Sequence, residues 1–128
     1  MLQPLSDIEA WYDQDDPWNY ESSLDDVKRR DILLHELPDR KFDSALDIGC
    51  GHGFLTRDLP ARQVVGVDIS KKAIKQANKL SGNKKKHISY LVGDLFNLDT
   101  LFPKKKFDLI VITGVLYPQY IGEAHTLA

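Results

Sequence analysis

Ala45-Leu46-Asp47-Ile48-Gly49-Cys50-Gly51-His52-Gly53-Phe54-Leu55-Thr56 is the stretch from which the rest of the chain can be read. A short apolar run carries one acid, Asp47, and glycine then recurs at 49, 51 and 53 before a helix-like pattern begins. Glycine has no Cβ, so it accepts positive φ and lets a ligand touch the main chain. Strand, glycine-rich turn and helix in that order make the nucleotide cradle of open α/β sheets.

The spacing of the glycines bears on which nucleotide. Gly49 and Gly51 fill the first two places of the dinucleotide fingerprint G-x-G-x-x-G, but Phe54 stands where the third glycine belongs. The pattern is G-x-G-x-G. Asp47 precedes the first glycine by two residues, where a carboxylate repels a pyrophosphate and attracts a cation. S-adenosylmethionine has no phosphate and carries an ammonium and a sulfonium, so the charge of the turn favours it over NAD.

Working outward, Ser6-Asp-Ile-Glu9 is a capping-box pattern, and it predicts a helix over about 7–14 that Asp15-Asp16-Pro17 breaks. A second helix is predicted over 24–37, capped by Ser22 or Ser23 and ended by Pro38. Leu24, Val27, Leu34 and Leu37 form its apolar stripe, which Arg30 and Asp31 interrupt. Strands are predicted at 43–48, 63–67, 88–92 and 107–112. A helix over 53–59 should stop at Pro60. Another, over 71–80, should be capped by Ser70, bury Ala73, Ile74, Ala77 and Leu80, and end at Ser81-Gly82-Asn83. Residues 94–106 read as loop with one helical turn, and Pro118 suits the first turn of a further helix. Strands alternating with helices across short connections argue a parallel α/β sheet.

At this point four segments resemble, in order, the motifs of class I S-adenosylmethionine-dependent methyltransferases. They are Asp47-Ile-Gly-Cys-Gly-His-Gly53, Val64-Val-Gly-Val-Asp68, Val92-Gly-Asp94-Leu95 and Phe107-Asp-Leu-Ile-Val-Ile-Thr113. The N-terminal part, with Trp11-Tyr12 and Asp16-Pro17-Trp18, is similar to the subgroup containing the nodulation-factor N-methyltransferase. The resemblance implies a Rossmann-like three-layer α-β-α fold. The family sheet has seven strands and only four are legible here, so the chain reads as truncated after the fourth. Residues 1–40 would form a helical lid or cap, and 41–128 the cofactor-binding half of the methyltransferase domain. The fourth strand would be an apolar edge through which two copies could pair.

The resemblance also assigns roles. Asp68 would accept the ribose hydroxyls, and Asp47 would meet the methionine ammonium. Gly49, Gly51 and Gly53 would let the main chain approach the ligand. Asp94 would accept from the adenine amino group, with the Leu95 amide on a ring nitrogen and Ile69 on the adenine face. Thr113 and Gly114 would lie under the methionyl tail. Each acid also has a plainer reading: Asp68 opening its turn, Asp47 capping the glycine turn, Asp94 capping a loop. Cys50 reads as a buried small residue and His52 as a loop residue. Trp11, Tyr12, Trp18 and Tyr20 cluster in an acidic stretch as a lid or as packing, with Trp18 the best lid candidate. Tyr117, near Tyr120 and His125, is the candidate for acceptor chemistry, and no general base or metal-ligand set is assigned.

Composition bounds these readings. The chain has 128 residues and a net charge of −2. Residues 1–27 hold eight acids and no Lys or Arg, a field suited to a cationic substrate. The runs Lys84-Lys85-Lys86 and Lys104-Lys105-Lys106 precede the third and fourth strands, so they fall at the edge of the sheet opposite the cofactor, where nucleic acid is hard to motivate. One cysteine excludes an internal disulfide and fits the cytoplasm. No apolar run is long enough to span a membrane, and no secretory signal is visible. The expectation is a methyltransferase acting on a small molecule, plausibly an amine, and releasing S-adenosylhomocysteine. The alternatives are a non-catalytic cofactor-binding or interaction fragment and, third, a nucleotide-dependent oxidoreductase.

Overall fold

A computed structural model describes residues 5–11, 24–82 and 86–113. The elements run α1 (Leu5–Trp11), α2 (Leu24–Glu36), β1 (Phe42–Ile48), β2 (Ala61–Asp68), α3 (Lys71–Ser81), β3 (Ile88–Val92), α4 (Leu98–Leu101) and β4 (Leu109–Ile112). The four strands are parallel and lie in the order β3-β2-β1-β4. β1 is therefore central, and the chain reverses direction across the sheet at β1/β4. Crevices at such reversals, outside the carboxyl ends of the strands, are where open α/β sheets bind ligands.

Strand alternation sorts the core into two faces. On one, Ala45, Val64 and Val111 meet Leu33 and Leu34 of α2 and Leu37 just past it, while Ile74 and Ala77 of α3 pack on Tyr90 and Cys50. On the other, Leu46, Ile48, Val65 and Val67 are covered by Leu95, Leu98, Phe102 and Phe107. Phe102 and Phe107 meet edge to face, 5.4 Å between centroids. Asp108 ties β4 to β1 at the amino-terminal rim. Its carboxylate accepts from the Asp43 and Ser44 amides at 2.9 and 2.8 Å and from Arg40 at 3.1 Å. Those donors, the two amides first, hold its carboxyl below the usual range.

Several expectations need correction. The helix expected over 53–59 is a turn followed by a single 3₁₀ turn, Thr56–Asp58. Between a glycine turn and Pro60 there is too little chain for stable α-helix. α1 begins at Leu5, so Ser6 lies inside it and the capping box does not form. Leu24 is 75 % exposed and lies off the buried stripe of α2. Arg30, read as an interruption, belongs to the interface: its guanidinium stacks 4.5 Å from the Phe54 ring centroid and lies 3.4 Å from Asp58. Leu80 is exposed, and Ser81 takes the buried place at the end of α3. Ser70 does cap α3, accepting from the Ala73 amide at 3.1 Å. Among the described residues no helix is long and apolar enough to cross a membrane.

Candidate functional site

The glycine turn is held by the end of β2. The amides of Gly49 and Cys50 both donate to the Val67 carbonyl, at 2.8 and 3.0 Å. Gly49, Gly51 and Gly53 have φ of 77°, 56° and 89°, which a residue with a Cβ rarely adopts. The turn is buried almost throughout. His52, read from sequence as a loop residue, does lie in the turn and is 1 % exposed.

Asp47 lies under this turn, equally buried. Its Oδ2 accepts from the Thr56 hydroxyl at 2.7 Å, and its Oδ1 has no partner among the described residues. Burial, opposed by the Thr56 bond and reinforced by the charge of Asp68, pushes its carboxyl up to about 7. A buried acceptor with a free oxygen next to the glycine turn fits an ammonium group.

Asp68 ends β2. Its Oδ2 accepts from the Gly51 amide at 2.9 Å and its Oδ1 from the Ser70 amide at 3.0 Å. The plainer role, opening the turn into α3, is thus realised in the geometry. Each carboxylate oxygen has more than one acceptor position, so a further donor such as a hydroxyl can still be received. Burial raises the Asp68 carboxyl above the ordinary range. Cys50 is buried, its thiol pushed well up by burial and by the two aspartates, which fits a structural residue rather than a nucleophile.

Across β2 the second turn is built differently. Asp94 Oδ1 accepts from the Phe96 amide at 3.0 Å and starts a 3₁₀ turn over Leu95–Asn97, and the Gly93 amide donates to the Asp68 carbonyl at 2.9 Å. Ile69, Asp94 and Leu95 are half-buried, as is Thr113 just past β4. Trp18, Gly114, Tyr117, Tyr120 and His125 lie outside the described residues, as does the lid stretch around Tyr12 and Tyr20.

Sequence reasoning missed Tyr90. It projects from β3 across β2, and its hydroxyl and Ser81 Oγ are hydrogen-bonded at 2.7 Å. A Cβ on Gly66 would stand 2.8 Å from the Tyr90 ring and 3.0 Å from Cys50 Sγ, and one on Gly53 would collide with the Tyr90 hydroxyl. The ring is the floor on which the glycine turn rests. A glycine inside the β-branched run Val64-Val-Gly-Val67 was the available signal, since strand glycines mark close approach.

A four-stranded parallel sheet with a glycine turn after β1 and an acid closing β2 is the cofactor cradle of open α/β sheets, and its likeness to known proteins places it in the S-adenosylmethionine-dependent methyltransferase class, whose cofactor is S-adenosylmethionine. Known proteins agree. Residues 45–126 match the methyltransferase domain family. The chain superposes on the N-methyltransferase NodS from Bradyrhizobium japonicum, solved with S-adenosyl-L-homocysteine. The TM-score is 0.73 and the identity 27 %, over 83 % of this chain and 54 % of that one. It is 32 % identical to a ubiquinone biosynthesis O-methyltransferase from Pelagibacter ubique, over 80 % of this chain and 46 % of the relative. It is also 32 % identical to the mouse eEF1A lysine and N-terminal methyltransferase, over 66 % of this chain and 12 % of that one. The chain belongs to the methyltransferase domain family, and it spans less than half the length of these two curated relatives.

Proposed function

We propose that this chain binds S-adenosylmethionine across the glycine turn and the end of β2, and that it serves transfer of the methyl group to a small-molecule amine. The observation that carries the reading is Asp68, oriented by the Gly51 and Ser70 amides at the carboxyl end of β2 beside the glycine turn. In this reading Asp68 receives the ribose hydroxyls, a charge-assisted contact. Asp47 offers its free oxygen to the methionine ammonium. Asp94 and the Leu95 amide face adenine, with Ile69 on its face and Thr113 by the methionyl tail. Gly114, Trp18 and Tyr117 keep the roles their positions in sequence give them: cofactor contact, lid and acceptor pocket, over a cap of residues 1–40 on a cofactor-binding unit of 41–128.

The cofactor supplies an electrophilic methyl group. The protein's part is alignment, and positioning alone can account for much of such a rate. A neutral amine attacks through its own lone pair and needs no strong base, and an amine drawn in as its ammonium form first releases a proton to solvent. The similarity to an N-methyltransferase and the acidic N-terminal stretch support an amine; the relatives also include O- and protein methyltransferases. A cytoplasmic setting and pairing of two copies along β4, where Ile110 is 54 % exposed, belong to the same reading.

Calorimetric titration of the 128-residue chain tests it. S-adenosylmethionine and S-adenosylhomocysteine should bind at micromolar levels and NAD should not. Asp68→Ala, with folding checked by circular dichroism, should weaken both by about 10²-fold. A folded wild-type chain that binds neither would sink the reading, and binding without turnover on any amine would favour a non-catalytic cofactor-binding module.

A further inference from the structure

Glu9 does not serve its own helix. Its Oε2 accepts a hydrogen bond from the Lys72 amide at 3.3 Å, across 63 residues of sequence. Lys72 is the second residue of α3, and the third, Ala73, is already capped by Ser70. The amides that open α3 are thus shared between a local cap and one delivered by α1, with a negative charge at the positive end of the helix. Glu9 is half-buried, and its Oε1 is buried without a hydrogen-bond partner among the described residues. The segment leading into that helix end is Asp68-Ile69-Ser70, and the charge of Glu9 is felt at Asp68.

We propose that Glu9 is a positioning residue for the cofactor: by binding the Lys72 amide it docks α1 on the start of α3 and holds the Asp68-Ile69-Ser70 turn in the geometry that receives the ribose. The inference rests on the reading of Asp68 as the ribose acceptor. Its mechanism has two parts. One is mechanical, since the Ser70 amide that orients Asp68 belongs to the same turn that Glu9 anchors. The other is electrostatic, since a like charge nearby makes the Asp68 carboxylate more basic and a stronger acceptor. Among the described residues, Asp47, across the turn from β1, and Lys71 and Lys72, exposed at the start of α3, also bear charge near Asp68.

The test combines S-adenosylhomocysteine titration between pH 5 and 9 with amide hydrogen exchange at Lys72 in the cofactor-free chain. The proteins are wild type, Glu9→Ala and Glu9→Gln. Glu9→Ala should weaken binding about tenfold and speed exchange at Lys72. Glu9→Gln keeps an acceptor oxygen, so it should restore Lys72 protection and most of the affinity. In an Asp47→Asn background, where Asp68 is the remaining carboxyl of the site, it should also move the acid limb of the binding profile to lower pH, because Asp68 ionises more easily once the like charge is gone. A purely structural role would leave that limb in place. Binding by Glu9→Ala within about twofold of wild type, or an unmoved limb in Glu9→Gln on the Asp47→Asn background, overturns the proposal. A wild-type chain with a protected Lys72 that binds no cofactor refutes the reading of Asp68 and the proposal with it. An unprotected Lys72 in wild type refutes the docking itself.

Discussion

The turns after β1 and after β3 flank β2 at the same end of the sheet, each carries an aspartate, and they are built in opposite ways. The β1 turn is packed from below by Tyr90, pinned to the Val67 carbonyl, and buries Asp47 and His52 at 1 % exposure each. The β3 turn is half-exposed, and Asp94 accepts from the Phe96 amide two residues on. The first is enclosed by contacts between distant segments, while the second combines the local cap of Asp94 with one main-chain bond to β2. Burial and distant packing therefore weigh more in the first turn, and local capping more in the second.

The strongest way to break the contrast is Gly53→Ala. A Cβ there meets both a φ of 89° and the Tyr90 hydroxyl, so the folded state should lose roughly 2–4 kcal/mol, read by urea unfolding. In a Tyr90→Phe background the added cost should shrink by about 1 kcal/mol, because the group in the way is gone. An unchanged cost would mean that Tyr90 does not support the turn.

Next in size is the pH response of the buried turn. The Asp47 carboxyl is raised in the folded chain to about 7, so protonation favours folding. Stability from this group is fully present below the ordinary carboxylate range and is lost as pH rises through about 7. Cofactor affinity should run the other way, because an ammonium needs the ionised form. It should fall by up to about tenfold per pH unit below neutrality, with proton release on binding seen as a buffer-dependent heat. Asp47→Asn should flatten the stability profile and leave cofactor binding only the limb that belongs to Asp68. The smallest effect belongs to the open turn: Asp94→Ala should cost at most about 1 kcal/mol of stability while weakening S-adenosylmethionine, a split that thermal unfolding and titration would show together.

The same contrast explains what could be read from sequence. The strands were legible because each is a short apolar run between glycine, proline or charged residues, and the start of α3 because Ser70 caps it locally. The acids of the site stand out by their spacing from the glycines. What was missed depends on partners far away in the chain: Glu9 on Lys72, Tyr90 under Gly53, Arg30 over Phe54. Periodicity carries no record of such pairs. It also overstated the segment after Gly53, where an apolar, helix-like pattern has room for only one 3₁₀ turn before Pro60.

The central place of β1 has a further consequence, for synthesis and folding. One edge of β1 pairs with β2, which follows closely in sequence, so Phe42 lies opposite Ala61. The other edge waits for β4, and Ser44 meets Asp108 across 64 residues. Closing so long a loop is the entropically expensive step, and until it closes β1 has an open edge. On a ribosome, the cofactor crevice at β1/β4 cannot form until the last described strand has emerged. Asp108, which clasps β4 to β1 at the rim, would then act as the late fastening of the four described strands.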